Sequence, residues 1–120
     1  MTILRYLMCG LLALGALGHL YGTFDGYQLG SEVFVWSLSA TAFTLAVVTF
    51  NVLARSGDRT LVTAAMVSAI AWAILALMFG AAIGNVFDPR AIAHAMPSFV
   101  LAALDATLLF RTKNTRALVA

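Results

Sequence analysis

Ionisable and hydrogen-bonding side chains recur at helical spacing in the last apolar segment of this chain. His94, Ser98, Leu101 and Asp105 step by four, three and four residues and so share one face of a helix. At 1.5 Å per residue, the imidazole of His94 and the carboxyl of Asp105 would be about 16 Å apart along the axis. Ionisable groups in a bilayer are costly and nearly always face a bundle interior or a cavity. We therefore expect both groups to point inward, at different depths.

Two other apolar segments carry polar stripes of the same kind. In the first segment the stripe steps by four, three, four and three residues through Arg5, Cys9, Leu12, Ala16 and His19. In the second segment Ser37, Thr44 and Asn51 recur every seven residues. Alternate membrane helices run in opposite directions, so His19, late in the first segment, meets His94, early in the fourth, at one depth. The sequence thus predicts two polar clusters, one toward each side of the membrane.

The outer cluster is the candidate ligand site. We place in it the two histidines and three possible neighbours, namely His19, His94, Glu32, Trp36 and Asn85. Two histidines on different helices at matched depth could be the axial ligands of a haem. A zinc or copper site would need a third imidazole or a thiolate at that level, whereas Cys9 lies near the other side, so no metal site is predicted. The alternative is a structural role, in which the imidazoles form hydrogen bonds between helices.

The inner cluster consists of Asp105, Asn51 and Arg5. It has two interpretations. An ion pair between Asp105 and Arg5 would hold the first and fourth helices in register. A protonatable Asp105 carboxyl could instead lie on a transport path, because acidic groups inside a membrane are rare and often functional.

Four long apolar runs must position these clusters. They cover about residues 3–24, 33–53, 61–87 and 89–110, each near or above the roughly 20 residues that span a bilayer as a helix. The chain is 62% hydrophobic and only 10% charged, whereas soluble domains carry about 25% charged residues. The connections are too short for a further domain. We expect residues 1–120 to form one all-α, up-down four-helix bundle in the membrane.

The ends of these helices also have sequence signals. Ser31 can cap the second helix, with the carboxylate of Glu32 in its first turn. Asp88 followed by Pro89 is typical of a helix start, where the missing N–H of proline costs nothing. Pro97 lies inside the fourth helix, where it frees the carbonyl of Ala93 and is expected to kink the axis.

Small residues at four-residue spacing indicate helix contacts, because lipid gives helices no hydrophobic reason to associate. One pair is Gly18 and Gly22, and the longer ladder is Ala76, Gly80 and Gly84. The pattern does not decide whether these contacts lie within one chain or between chains.

Lysine and arginine positions predict the orientation, since cytoplasmic flanks carry the excess of basic residues. Six of the seven basic residues lie on one side, namely Arg5, Arg55, Arg59, Arg111, Lys113 and Arg116. Only Arg90 lies on the other side. Both termini are therefore expected in the cytoplasm, most simply that of a bacterium whose inner membrane holds the protein. The excess of basic residues is then explained by the orientation of the protein in the membrane, and a nucleic-acid partner is not expected.

The sequence does not indicate an enzyme. The sequence has no cofactor fingerprint, no ligand cluster at a metal-binding spacing and no catalytic constellation. We therefore predict a non-enzymatic protein whose surroundings are the lipid bilayer and whose partners are other copies of itself or other membrane proteins. It would act as a homo-oligomer or an accessory subunit. The alternatives are a haem-binding redox protein that uses His19 and His94, and a small proton-coupled transporter that uses Asp105.

Overall fold

Four helices make up almost all of the folded chain. The computed structural model describes the backbone of residues 1–117 and the side chains of residues 1–111. The helices are α1 (Thr2–Gly26), α2 (Glu32–Leu53), α3 (Arg59–Ala82) and α4 (Pro89–Ala117), and a single 3-10 turn, Ala54–Ser56, follows α2. The predicted all-α fold with four long helices is confirmed.

The outer surface of these helices is that of a membrane protein. All four are long and apolar enough to cross a membrane. Large apolar side chains project outward along them, for example Ile3 with 86% of its surface exposed and Leu14 with 67%. A water-soluble bundle would bury such side chains. The chain is therefore suited to lipid on its outside and to polar groups on its inside.

The helices follow one another around a four-membered ring. α1 packs against α2, α2 against α3, α3 against α4, and α4 returns to α1. Side-chain contacts show that α1 and α2 are antiparallel, because Arg5 near the start of α1 meets Asn51 near the end of α2, while Thr23 meets Ser37 at the other end. This arrangement directs the polar stripes of α1, α2 and α4 toward the axis of the bundle.

An apolar layer fills the middle of the bundle. Leu12, Val47 and Leu101, from α1, α2 and α4, are completely buried there, and Ala69 and Trp72 complete the layer from α3. This layer separates the two ends of the bundle, where the polar side chains lie.

The predicted helix starts at Ser31 and Pro89 are present. The Ser31 hydroxyl accepts a hydrogen bond from the Phe34 N–H at 3.2 Å. Asp88 accepts bonds from the backbone N–H and the guanidinium of Arg90, each at 2.9 Å. The bond from the Arg90 side chain is the main reason that the pKa of Asp88 is lowered. Asp88 therefore stays ionised at the start of α4.

The third helix is shorter than its apolar run. α3 ends at Ala82, whereas the run continues to Phe87. The cause is Gly84, whose φ of +76° is a left-handed conformation that favours glycine. The N–H groups of Gly84 and Asn85 donate back to the carbonyls of Ala81 and Gly80. Gly84 therefore terminates α3 and does not belong to the predicted packing ladder.

Replacing Gly84 with Ala should destabilise the protein by about 1 to 2 kcal/mol, because a Cβ is disfavoured in the left-handed region. The free energy of unfolding in mild detergent measures this. Gly26→Ala is the matched control, since Gly26 is helical and has open space around it; it should be neutral or stabilising. Equal effects of the two substitutions would contradict this role of Gly84.

Candidate functional site

The inner polar layer is built around a buried ion pair between α1 and α4. Arg5 Nη1 lies 2.6 Å from Asp105 Oδ1, and both side chains are almost completely buried. The structure therefore brings Arg5 and Asp105 together as the ion-pair interpretation requires. Each charge offsets the cost of burying the other.

Asn51 of α2 holds the arginine in place. Arg5 Nη1 donates to both the backbone carbonyl and the side-chain oxygen of Asn51, at 3.2 Å each. The amide nitrogen of Asn51 donates to the carbonyl of Val47 at 3.0 Å, which fixes the direction of the amide. The inner cluster thus joins three helices through one guanidinium.

The carboxylate of Asp105 is less well satisfied than its partners. Its contact with Arg5 is short, but Nη1 of Arg5 donates to Asn51, and neither carboxylate oxygen receives a well-aligned hydrogen bond from the described residues. Oδ2 is buried without a partner there. A carboxylate in this state is costly to keep ionised in a low-dielectric interior.

Removing one member of this pair should be much worse than removing both. Arg5→Ala leaves a buried carboxylate without a counter-charge and should lower the free energy of unfolding by about 3 to 5 kcal/mol. The double variant Arg5→Met, Asp105→Leu should recover most of that loss, because neither charge remains. Denaturant titration of the detergent-solubilised protein measures both. A double variant as unstable as Arg5→Ala would contradict the coupling.

The outer polar layer begins with His94, which reaches across from α4. The indole N–H of Trp72 donates to His94 Nδ1 at 3.3 Å, and the two rings meet edge to face with their centroids 5.5 Å apart. The far edge of the imidazole lies against α1 at Gly15, where an added Cβ would be 2.8 Å from Cε1 and 3.1 Å from Nε2. Gly15 is therefore needed for this approach.

His19 lies one helical turn beyond Gly15 and bonds to hydroxyls of α2. Its Nδ1 is 3.1 Å from the Thr41 hydroxyl and 3.5 Å from that of Ser37. Thr23 donates to the His19 carbonyl, and Ser37 then donates to Thr23. The Thr41 hydroxyl also lies 3.3 Å from the Ser37 carbonyl. His19 is therefore bonded to α2 through Nδ1 in either tautomer.

The tautomer of His94 follows from its donor. An indole N–H can only donate, so His94 Nδ1 holds a lone pair and its proton is on Nε2. A histidine that ligates through Nε2 donates its other N–H to a neighbour, which His94 does not. The closeness of His94 to Gly15 also leaves no room there for a macrocycle, so this arrangement does not fit a haem held by both histidines.

The other predicted neighbours of the histidines lie elsewhere. Glu32, Trp36 and Asn85 are exposed, and the Asn85 side-chain oxygen accepts from the Phe87 N–H within its own turn. The described residues contain no cluster of three metal-ligating side chains.

Sequence reasoning missed four members of the outer layer, namely Gly15, Thr23, Thr41 and Trp72. Gly15 and Thr23 lie four residues before and after His19, so the helical spacing could have found them. Trp72 lies in an almost wholly apolar helix, and nothing in the pattern indicates which way its N–H points.

The candidate packing residues fall into two groups. Ala76 and Gly80 are buried in α3, and the buried side of that helix extends toward its start through Ala65, Ala69 and Ala73. Gly18 and Gly22 are exposed, with no described atom within 4 Å of an added Cβ. Contacts of that glycine pair would therefore have to come from outside the described chain.

Pro97 lies inside α4 and is fully buried. The next residue, Ser98, donates its hydroxyl to the carbonyl of His94 at 2.8 Å. The proline region thus lies directly beside the outer layer, and Ser98 bonds to its own helix.

Nitrogen-15 spectroscopy of the two histidines, which are the only ones in the chain, should show His94 as the neutral tautomer with its proton on Nε2. In Trp72→Phe, His94 loses the donor to Nδ1 and should show a mixture of tautomers, while the His19 signals stay in place. A His94 that carries its proton on Nδ1 in the unmodified protein would contradict the assignment.

The fold and the two polar layers define a small all-helical protein with four candidate membrane spans. No family model, curated protein or solved structure matches the chain.

Proposed function

We propose that this protein acts in a bacterial inner membrane through helix contacts, as a homo-oligomer or as an accessory subunit of a larger assembly, without enzymatic activity. The supporting observation is the outward side of α1. Gly10, Gly18 and Gly22 lie on one row of four-residue steps, with exposed Leu14 between the first two. An added Cβ at any of these glycines would meet no described atom.

Glycine in a helix is destabilising by roughly 0.5 to 1 kcal/mol relative to alanine. Inside this bundle, Gly15 and Gly80 have a clear use, because His94 and the backbone after α3 approach them closely. The outward glycines have no such use within the described chain. A row of this kind allows another helix to approach closely, which favours a partner helix at α1.

Both termini are proposed to be cytoplasmic. The end of the bundle that holds the inner cluster also holds Arg55 and Arg59, whereas Arg90 at the opposite end is paired with Asp88. Arg5 contributes less to this signal than its sequence position suggests, because its charge is paired with Asp105. The side chains of Lys113 and Arg116 lie outside the described residues.

Gly18→Leu should weaken association of the protein by roughly tenfold or more, equivalent to about 1.4 kcal/mol, because the leucine holds the partner helix away. Light scattering in mild detergent and cross-linking in native membranes measure the oligomeric state and any co-purifying subunit. Ala42→Leu is the control, since Ala42 is exposed on α2. Equal effects of both substitutions, or a wild-type protein that is monomeric without a partner, would refute the proposal.

A second candidate function is proton-coupled transport through Asp105. The observation that favours it is the buried Oδ2 atom without a hydrogen-bond partner among the described residues. Protonation of Oδ2 would relieve the under-satisfied carboxylate, and Arg5 could keep its bonds to Asn51. Such a group can bind and release a proton without dismantling the cluster.

Asp105→Asn should abolish proton-dependent flux in reconstituted vesicles, because the amide cannot titrate. It also leaves the Arg5 charge without its counter-charge, so flux is compared between vesicles that hold equal amounts of folded protein. A pH-sensitive dye inside the vesicles measures the flux. Asp88→Asn, at the exposed start of α4, is the control and should retain it. Flux in wild type that equals empty vesicles, or full flux in Asp105→Asn, would exclude this candidate.

A further inference from the structure

An open groove runs along the outward face of α3, at the end of the bundle that holds the inner cluster. Its volume is about 560 Å³, and it is lined by Arg59, Thr60, Thr63, Ala64 and Val67. The distance along the helix axis from its first to its last member is about 12 Å, at 1.5 Å per residue. The groove therefore extends from the start of α3 toward the middle of a membrane that this helix would span.

The guanidinium of Arg59 supplies a positive charge at the start of the groove. Arg59 is exposed and forms no ion pair within the part of the chain that the structure describes. The neighbouring carboxylate, that of Asp58, caps the helix, where its Oδ1 accepts from the Leu61 N–H at 2.9 Å. Arg55 adds a second positive charge to the same connection. The balance of charge at this end of the groove favours an anion.

The deeper part of the groove is suited to hydrocarbon. The hydroxyl of Thr63 donates to the carbonyl of Arg59 at 2.8 Å, so its proton is satisfied within the helix. Ala64 is half-buried and Val67 is exposed. Membrane helices are tilted by about 20° on average from the bilayer normal, so a lipid chain that extends along the normal runs nearly parallel to this groove.

We propose that the groove binds one anionic phospholipid from the leaflet at the Arg59 end of the bundle. The headgroup phosphate accepts hydrogen bonds from the Arg59 guanidinium, whose planar arrangement of N–H groups matches two phosphate oxygens. One acyl chain lies along Ala64 and Val67. A lipid with net negative charge is preferred, because basic residues near a membrane surface attract anionic lipids.

The opposite end of the bundle presents its arginine differently. Arg90 is paired with Asp88 there, so its charge is already balanced, and we assign the lipid to the Arg59 end. The site lies on α3, whereas the proposed association surface is on α1 and the proposed proton carrier is Asp105 on α4. The inference is therefore independent of both functions and requires only that α3 spans a bilayer.

Native mass spectrometry of the protein in mild detergent tests the site, with phosphatidylglycerol and phosphatidylcholine of the same acyl chains as probes. The first phosphatidylglycerol should bind about fivefold more tightly than phosphatidylcholine, the factor that corresponds to about 1 kcal/mol for one basic residue near a membrane surface. Arg59→Gln should remove this preference. Arg55→Gln is the matched control, because it removes the same charge from the same connection but not from the groove, and it should keep most of the preference.

Glycerol phosphate, which has a similar head without acyl chains, distinguishes a lipid site from a site for free phosphate. It should not displace the bound lipid at millimolar concentration, and displacement would overturn the proposal. Equal losses in Arg59→Gln and Arg55→Gln would show a general attraction of anionic lipids and would also overturn it. Equal binding of the two lipids would do the same, and a change of oligomeric state in Arg59→Gln would then assign the groove to a second copy of the chain.

Discussion

The ion pair between Arg5 and Asp105 is the contact on which the arrangement of the helices depends. Apolar helix surfaces are solvated by lipid as well as by one another, so they do not specify a register. A buried charge does, because separation from its counter-charge in a low-dielectric interior costs several kcal/mol. Asn51 adds α2 to the same contact through two hydrogen bonds from Arg5. One guanidinium therefore sets the relative heights of three helices.

The outer layer follows from that register. With Arg5 opposite Asp105, antiparallel helices place Gly15 of α1 opposite His94 of α4, and Leu12 and Leu101 both lie in the apolar layer between the two polar layers. α3 contributes the Trp72 N–H, which sets the tautomer of His94. The positions of the imidazoles are thus a consequence of a contact at the far end of the bundle, and any chemistry of the outer layer depends on the inner one.

Much of this arrangement could be predicted from the sequence, because polar residues inside apolar runs must face inward and their spacing gives the face. That reasoning predicted the inner cluster of Arg5, Asn51 and Asp105, which the structure brings together. It could not find the end of α3, since an apolar residue in a turn has the same hydropathy as one in a helix. Nor could it find the hydrogen bond that Trp72 donates to His94. α3 is almost uniformly apolar, so its sequence does not show which side of the helix faces the bundle interior.

The most direct measurement of the central claim is the distance between the Arg5 guanidinium and the Asp105 carboxyl carbon in lipid. Solid-state NMR on Asp88→Asn protein, labelled with nitrogen-15 in arginine side chains and carbon-13 in aspartate carboxyls, can report it. The substitution removes the Arg90 pair, which is the other ion pair among the described residues. The account predicts strong dipolar dephasing from a close contact, which Asp105→Asn in the same background abolishes. Absence of dephasing would contradict it.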